Sequence, residues 1–172
     1  RRVYVVCPRI DASDDVADAE EEGARPLASV EEVAAYLRSH PALSGIAIHE
    51  LTGRTPSPVK AQIMEDFSTG RAPLLVATTV SEVGVDVSEA TLMVILDAQQ
   101  FGLAQLHQLR GRVGRSSLPS LCIAMHRHEL TDSGRARLQA FADTTAGFEL
   151  AEADLRHRRP PGLRVGSQCS EV

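Results

Sequence analysis

Five short runs of consecutive apolar residues recur along the chain, separated by polar and turn-forming residues. The runs lie at 3–7, 46–49, 73–78, 91–96 and 121–125. Consecutive rather than alternating apolar residues are typical of strands that are covered on both faces, as in a parallel sheet. The pattern therefore predicts a sheet with buried strands.

Segments in which apolar residues recur at helical spacing lie between and after these runs. The first begins at Leu27, has Ser29 as its N-terminal cap and ends before Pro41. The others lie at 59–67, 103–110, 132–142 and 147–156. Alternating strand and helix signals predict an α/β fold, an open parallel sheet of about five strands with helices on both faces.

The regular alternation stops near residue 130. The segment beyond it includes RRPPGLRVGSQ, whose prolines and glycines do not suit a regular element. We therefore expect one lobe at 1–130 and a small, incomplete C-terminal extension at 131–172. Because the chain begins at Arg1 without an initiator methionine, we also expect it to be part of a larger protein.

Charge and cysteine content narrow the possible functions. The net charge is −5, but residues 1–100 carry −8 and residues 101–172 carry +3, so the C-terminal part is expected to face anions. The three cysteines are too far apart to indicate a metal site or a disulfide framework, and Cys7 and Cys122 are expected to be buried. With no long apolar run and no secretory signal, the protein is expected to be soluble and cytoplasmic.

The stretch ATTVSEVGVDV, at 77–87, follows the run at 73–78, and ligands of open parallel sheets bind beyond the carboxyl ends of strands. The hydroxyl and backbone N–H groups of Thr78 and Thr79 suit a phosphate oxygen. Gly84 permits a tight backbone path, and the carboxylate of Asp86 can accept hydrogen bonds from ribose hydroxyls. An ordinary strand-to-helix turn explains the same residues equally well.

The stretch QLRGRVGR, at 108–115, is expected at the same edge of the sheet. Arg112 and Arg115 are three residues apart, so their guanidinium groups can converge on one phosphate. Gly111 and Gly114 remove side chains that would block the approach. Such arginines act as fingers in phosphoryl transfer, although a solvated basic helix end is the alternative explanation.

The chain lacks the groups that would hold a nucleotide by itself. It has no GxxxxGK[ST] loop and no DEAD- or DEAH-like acidic pair, and Lys60 is its only lysine. The arginines would therefore act on a nucleotide that another domain holds.

Four segments in order, VYVVCPRI, LTGR, LLVATTVSEVGVDV and FGLAQLHQLRGRVGR, resemble the second RecA-like motor lobe of superfamily 2 helicases. The last two are most similar to the RecG family, bacterial ATP-dependent helicases that remodel branched DNA at replication forks and Holliday junctions. The resemblance implies ATP with Mg²⁺, held mainly by an absent N-terminal lobe, and a DNA-wedge domain in the same polypeptide. It also implies that this chain alone is inactive.

The resemblance assigns roles to individual residues. It places Gly84 and Asp86 near the nucleotide. Contacts to the DNA backbone are implied for Thr52, Gly53, Arg54, Thr78 and Thr79. The finger positions are Arg112 and Arg115, and Gln108 would couple the two sites. Position 52 departs from the family, which usually has histidine there.

The extension at 131–172 resembles the helical hairpin and hook that this family shares with the transcription-repair coupling factor, a segment thought to convert lobe closure into movement along duplex DNA. Arg158 and Gln168 fit the hook pattern. The family usually has glutamate where this chain has Arg156.

Two alternatives stay open from the sequence. The chain could be the equivalent lobe of a coupling factor, which displaces stalled polymerase. It could also be a non-catalytic DNA-binding or nucleotide-binding module whose arginines only contact phosphate. Substitution of Arg112 separates the classes, because only a motor would lose ATP hydrolysis while keeping most of its DNA affinity.

Overall fold

The computed structural model describes residues 2–11, 26–78, 90–113, 119–126 and 130–143. Within these ranges five strands form one sheet. They are β1 (Arg2–Val6), β2 (Ile48–Leu51), β3 (Leu74–Ala77), β4 (Ala90–Ile95) and β5 (Leu121–Ala124). All paired strands are parallel, in the order β2-β3-β1-β4-β5. The predicted five-stranded parallel sheet is confirmed, with bounds that differ by up to two residues.

The helices cover both faces of the sheet, as predicted. The described ones are α1 (Val30–Ser39), α2 (Ser57–Thr69), α3 (Leu103–Arg110) and α4 (Asp132–Asp143). Helix α1 packs on one face, where Val30 and Ala34 are buried against β1 and β3. Helices α2, α3 and α4 bury apolar residues on the opposite face. The α/β fold class is therefore that of a sheet between two helical layers.

Strand β1 shows why the sheet separates two cores. Successive side chains of a strand point to opposite faces. Tyr4 and Val6 lie in the core beneath α2 and α3, whereas Val5 and Cys7 lie in the core beneath α1. The ring of Tyr4 meets Phe67 of α2 edge-on, with 6.1 Å between ring centroids. A central strand buried on both faces has to be apolar throughout, which is the pattern at 3–7.

Helix α1 begins where the sequence predicts. The hydroxyl oxygen of Ser29 accepts the backbone N–H of Glu32 at 3.3 Å, and the hydroxyl donates to the Glu32 carboxylate at 2.8 Å. A capping serine satisfies a backbone donor that has no partner within the helix. The structure thus confirms Ser29 as the N-terminal cap of α1.

Strand β5 differs from the prediction of a buried strand. It lies at an edge of the sheet, and Leu121 and Ile123 are 57% and 38% exposed. Cys122 and Ala124, on its other face, pack against the core beneath α3 and α4. The apolar run at 121–125 predicts a strand but not its place in the sheet, and that place sets the exposure of Leu121 and Ile123.

Hydrogen bonds attach helix α4 to the residues just before α3 and to the last residue of α3. The Arg137 guanidinium donates to the carbonyls of Gln99 and Phe101, just before α3, at 3.3 and 3.1 Å. The Arg110 guanidinium, at the end of α3, donates to the carbonyl of Phe141 at 2.9 Å and lies 4.9 Å from the Phe141 ring centroid. The division at 130 stays a prediction, but the first helix beyond it packs on the lobe.

Candidate functional site

The residues that follow β1, β2, β3 and β4 lie side by side at one edge of the sheet, which we call the carboxyl edge. Backbone hydrogen bonds continue just beyond the strand ends. The N–H of Thr78 donates to the carbonyl of Leu51 at 3.2 Å, and the N–H of Cys7 donates to that of Ala77 at 2.8 Å. Thr78 is therefore next to the turn that begins at Thr52, so two predicted site segments share one surface.

The turn between β2 and α2 is organised by its two threonines. The hydroxyl oxygen of Thr55 accepts a hydrogen bond from the backbone N–H of Thr52 at 3.1 Å. The hydroxyl oxygen of Thr52 accepts one from the backbone N–H of Arg54 at 3.3 Å. Gly53 and Arg54 are exposed, and a Cβ at Gly53 would meet no atom within 4 Å. The turn thus presents its middle residues to solvent while its ends are fixed.

The N-terminus of α2 opens at the same edge. Its N-cap residue, Pro56, has no side-chain hydrogen-bond donor or acceptor, and the N–H of Lys60 donates to the Pro56 carbonyl at 2.9 Å. The first amides of a helix carry partial positive charge. This helix end therefore favours an anion beside the turn between β2 and α2.

Arg54 forms an ion pair with Asp11, which follows β1. The guanidinium Nη1 lies 2.5 Å from the carboxylate Oδ2, and the two side chains are 60% and 18% exposed. Neither the sequence motifs nor their spacing indicated this pair. Asp11 belongs to an acidic stretch in which no single carboxylate stands out.

Asp97 is a second residue that the sequence motifs did not indicate. It lies at the carboxyl edge, just after β4. Its backbone has the left-handed φ of 47°, uncommon for a residue other than glycine. Its carboxylate accepts the backbone N–H of Ala28 at 2.7 Å. Burial, and to a smaller extent the charge of Asp97, together raise the pKa of the neighbouring Cys7 thiol to about 12. The available signal was a single acidic residue directly after an apolar run.

The described part of the arginine stretch, residues 108–113, lies elsewhere than predicted. Helix α3 follows β4 and precedes β5, which is parallel to β4, so it runs back from the carboxyl edge toward the edge where the strands begin. Gln108 is exposed near its end, and Arg112 is half-buried in the turn beyond it. For residues 108–113 the expected place at the carboxyl edge is therefore wrong, because these residues end a helix and follow it rather than a strand.

Arg112 lies close enough to the core to act on Tyr4 of β1. Burial raises the pKa of the Tyr4 hydroxyl, and the positive charge of Arg112 partly lowers it. The Arg112 backbone N–H donates to the Leu109 carbonyl at 3.0 Å, which holds the turn against the end of α3. The backbone of Arg112 is thus held at the end of α3, and its charge lies close enough to affect the Tyr4 hydroxyl.

Several predicted site residues lie outside the described ranges. They are Thr79, Gly84, Asp86, Arg115, Arg158 and Gln168. Within the described ranges, no helix is long and apolar enough to cross a membrane. The same ranges contain no cluster of three His, Cys, Asp or Glu side chains suited to a metal ion.

Known proteins identify the class to which this lobe belongs. Residues 1–117 match the helicase conserved C-terminal domain, and the chain belongs to that family. The fold is shared with Saccharomyces cerevisiae Dbp5 bound to RNA and ADP BeF3, with a TM-score of 0.53 and 15% identity over 92% of this chain and 38% of that one.

Within the family, the chain is similar to the C-terminal lobe of RecG, which confirms the resemblance seen in the sequence. It is 44% identical to the ATP-dependent DNA helicase RecG of Acidithiobacillus ferridurans, over the whole of this chain and 23% of that protein. It is also 44% identical to the ATP-dependent DNA helicase RecG of Mycobacterium tuberculosis, over 92% of this chain and 21% of that protein. The chain thus spans less than a quarter of the length of these relatives.

Proposed function

We propose that this chain is the second motor lobe of an ATP-dependent DNA helicase that remodels branched DNA, such as replication forks and Holliday junctions, in the bacterial cytoplasm. One observation carries the proposal: the chain is similar to a RecG lobe along its whole length, yet it contains no phosphate-binding loop. A nucleotide would then be held mainly by an N-terminal lobe of the same polypeptide, and this lobe would complete the site. The RecG relatives favour this function over that of a coupling factor.

The carboxyl edge is the proposed DNA surface. Hydroxyl groups, backbone N–H groups and arginines are the usual partners of DNA phosphates. The Thr52–Arg54 turn offers all three, and Thr78 adds a hydroxyl beside it. Thr79 follows directly in the sequence and is proposed to contact the same strand. Because position 52 is threonine rather than the family's usual histidine, its contact would be through the hydroxyl or the backbone.

The arginine-rich stretch at 108–115 is the proposed nucleotide surface. ATP would bring Mg²⁺ with it, and Arg112 and Arg115 would reach the γ-phosphate from the opposite side of the cleft between the lobes. Arginines in this position neutralise the charge that spreads over the transferred phosphoryl group. Gln108, exposed one turn earlier on α3, would couple this contact to the DNA surface. Gly84 and Asp86 are proposed to lie near the nucleotide.

The proposal is tested by steady-state ATP hydrolysis of the chain 1–172 alone, with and without a forked DNA duplex. We expect no hydrolysis above the background rate and only weak, salt-sensitive DNA binding, because the phosphate-binding lobe is missing. Circular dichroism and a cooperative thermal transition would show that the chain tested is folded. Measurable turnover by the folded chain would contradict the proposal.

A further inference from the structure

The ion pair between Asp11 and Arg54 joins two loops that are not neighbours in the sheet. Asp11 follows β1 and Arg54 follows β2, and β3 lies between these strands. Adjacent strands are about 4.8 Å apart, so the loops begin roughly 10 Å from each other. The two side chains bridge this distance across the carboxyl end of β3, where Thr78 lies.

We propose that Asp11 is a positioning residue that holds the Arg54 guanidinium at the end of β3 for contact with a DNA phosphate. The inference rests on the proposed role of Arg54 in DNA binding. Arg54 and Thr78 belong to different turns, and the ion pair directs the flexible arginine side chain toward the loop after β1, across the end of β3.

The carboxylate is the fixed member of the pair. The loop that carries Asp11 is bonded to the start of α1, where the N–H groups of Val30 and Glu31 donate to the carbonyls of Arg9 and Ile10 at 3.0 and 3.3 Å. The Asp11 side chain is 18% exposed, against 60% for Arg54. A side chain anchored in this way can fix the direction of the more exposed one.

An arginine that pairs with a carboxylate can also contact a phosphate. A guanidinium has five N–H donors in a planar fork, so it can hold a carboxylate on one side and a phosphate on another. A positioned arginine also loses less side-chain freedom when it binds than an unrestrained one does. Asp11 would therefore raise DNA affinity although its own charge repels the DNA backbone.

The direction in which DNA affinity changes when Asp11 is replaced makes the inference testable. If Asp11 acted only through its charge, removing the charge would strengthen DNA binding. If Asp11 positions Arg54, Asp11→Asn weakens binding instead, by up to roughly fivefold, the upper end of the range for an exposed ion pair. Asp11→Glu, which keeps the carboxylate, should restore part of the affinity.

The experiment measures the affinity of the full-length helicase for a fluorescein-labelled forked duplex over a range of salt concentrations. Asp11→Asn, Arg54→Ala and the double variant are compared. Glu65→Gln is the matched control, because Glu65 pairs with Arg71 at 2.9 Å near the other end of α2. Arg54→Ala should weaken binding and lower the slope of log affinity against log salt by about 1. Asp11→Asn should have no effect in the Arg54→Ala background, and Glu65→Gln should have none at all.

The outcomes separate this inference from the function on which it rests. Unchanged affinity in Arg54→Ala would contradict the DNA role of the turn. Weaker binding by Arg54→Ala together with unchanged or tighter binding by Asp11→Asn would contradict the positioning role alone. An equal loss on Asp11→Asn with and without Arg54 would also contradict it, since the effect would then not pass through the arginine.

Discussion

At the scale of single residues, burial determines how Cys7 ionises. The thiol is fully buried just beyond β1, and its pKa is raised to about 12 from an ordinary value near 9.0, mainly by desolvation and also by the charge of Asp97. The folded state therefore keeps its proton at a pH where the unfolded state has lost it. The stability that this supplies is complete below pH 9 and is lost as the pH rises toward 12.

Replacing Cys7 should change the alkaline stability of the chain. In the unmodified chain, the Cys7 thiol should make the free energy of unfolding fall by up to about 1.4 kcal/mol per pH unit between pH 9 and 12. We expect this contribution to be absent in Cys7→Ala. Urea unfolding at several pH values measures this slope. Val5→Ala truncates a buried neighbour in the same core without removing an ionisable group, so it should keep the slope. Identical slopes in the two variants would rule out Cys7 as the cause.

Single residues also show what a sequence can predict locally. Ser29 was found as a cap because a cap depends on only a few consecutive residues. The Asp11–Arg54 pair was not found, because it joins residues 43 positions apart that meet only after β3 is inserted between their strands. The role of the three residues at 52–54 stays a prediction from their motif, and the structure adds an ion-pair partner for Arg54.

At the scale of elements, the strands and helices were predictable because each buries apolar residues at its own period. Their arrangement was not. Strand β5 was predicted as buried and is an edge strand. Residues 108–113 were predicted at the carboxyl edge and lie at the far end of α3. Both differences come from strand order and helix direction, which short-range patterns do not encode.

The attachment of α4 to α3 predicts that the two helices unfold together with the sheet. Phe141 is 5% exposed and stacks against Arg110, so Phe141→Ala should cost about 3 kcal/mol of unfolding free energy. Chemical denaturation followed by circular dichroism should show one transition shifted to lower denaturant. Gln139→Ala, on the exposed side of α4, should leave the midpoint nearly unchanged.

A second, separate transition in the unmodified chain would contradict this expectation, since α4 would then belong to an independent unit. The same result would favour a domain boundary at 130. A single transition would place that boundary after α4.

At the scale of the whole molecule, the two proposed functional surfaces lie at different ends of the lobe. The Thr52–Arg54 turn and Thr78 occupy the carboxyl edge, and α3 leads away from that edge to Arg112. Tyr4, whose pKa Arg112 affects, lies in the central strand between them. A lobe built in this way can touch DNA at one surface and complete a nucleotide site at another, which is what a two-lobed motor requires.

The most direct test of this account is the effect of Arg112→Ala in the full-length helicase, measured as both DNA-stimulated ATP hydrolysis and affinity for a forked duplex. We predict that the turnover rate falls by roughly 10³-fold, the value of an arginine that stabilises the transferred phosphoryl group, while DNA affinity changes by less than about twofold. Arg135→Ala, which removes an exposed arginine of α4, should change neither. Weaker DNA binding with the turnover rate of the bound enzyme unchanged would contradict the account and show that Arg112 only contacts DNA.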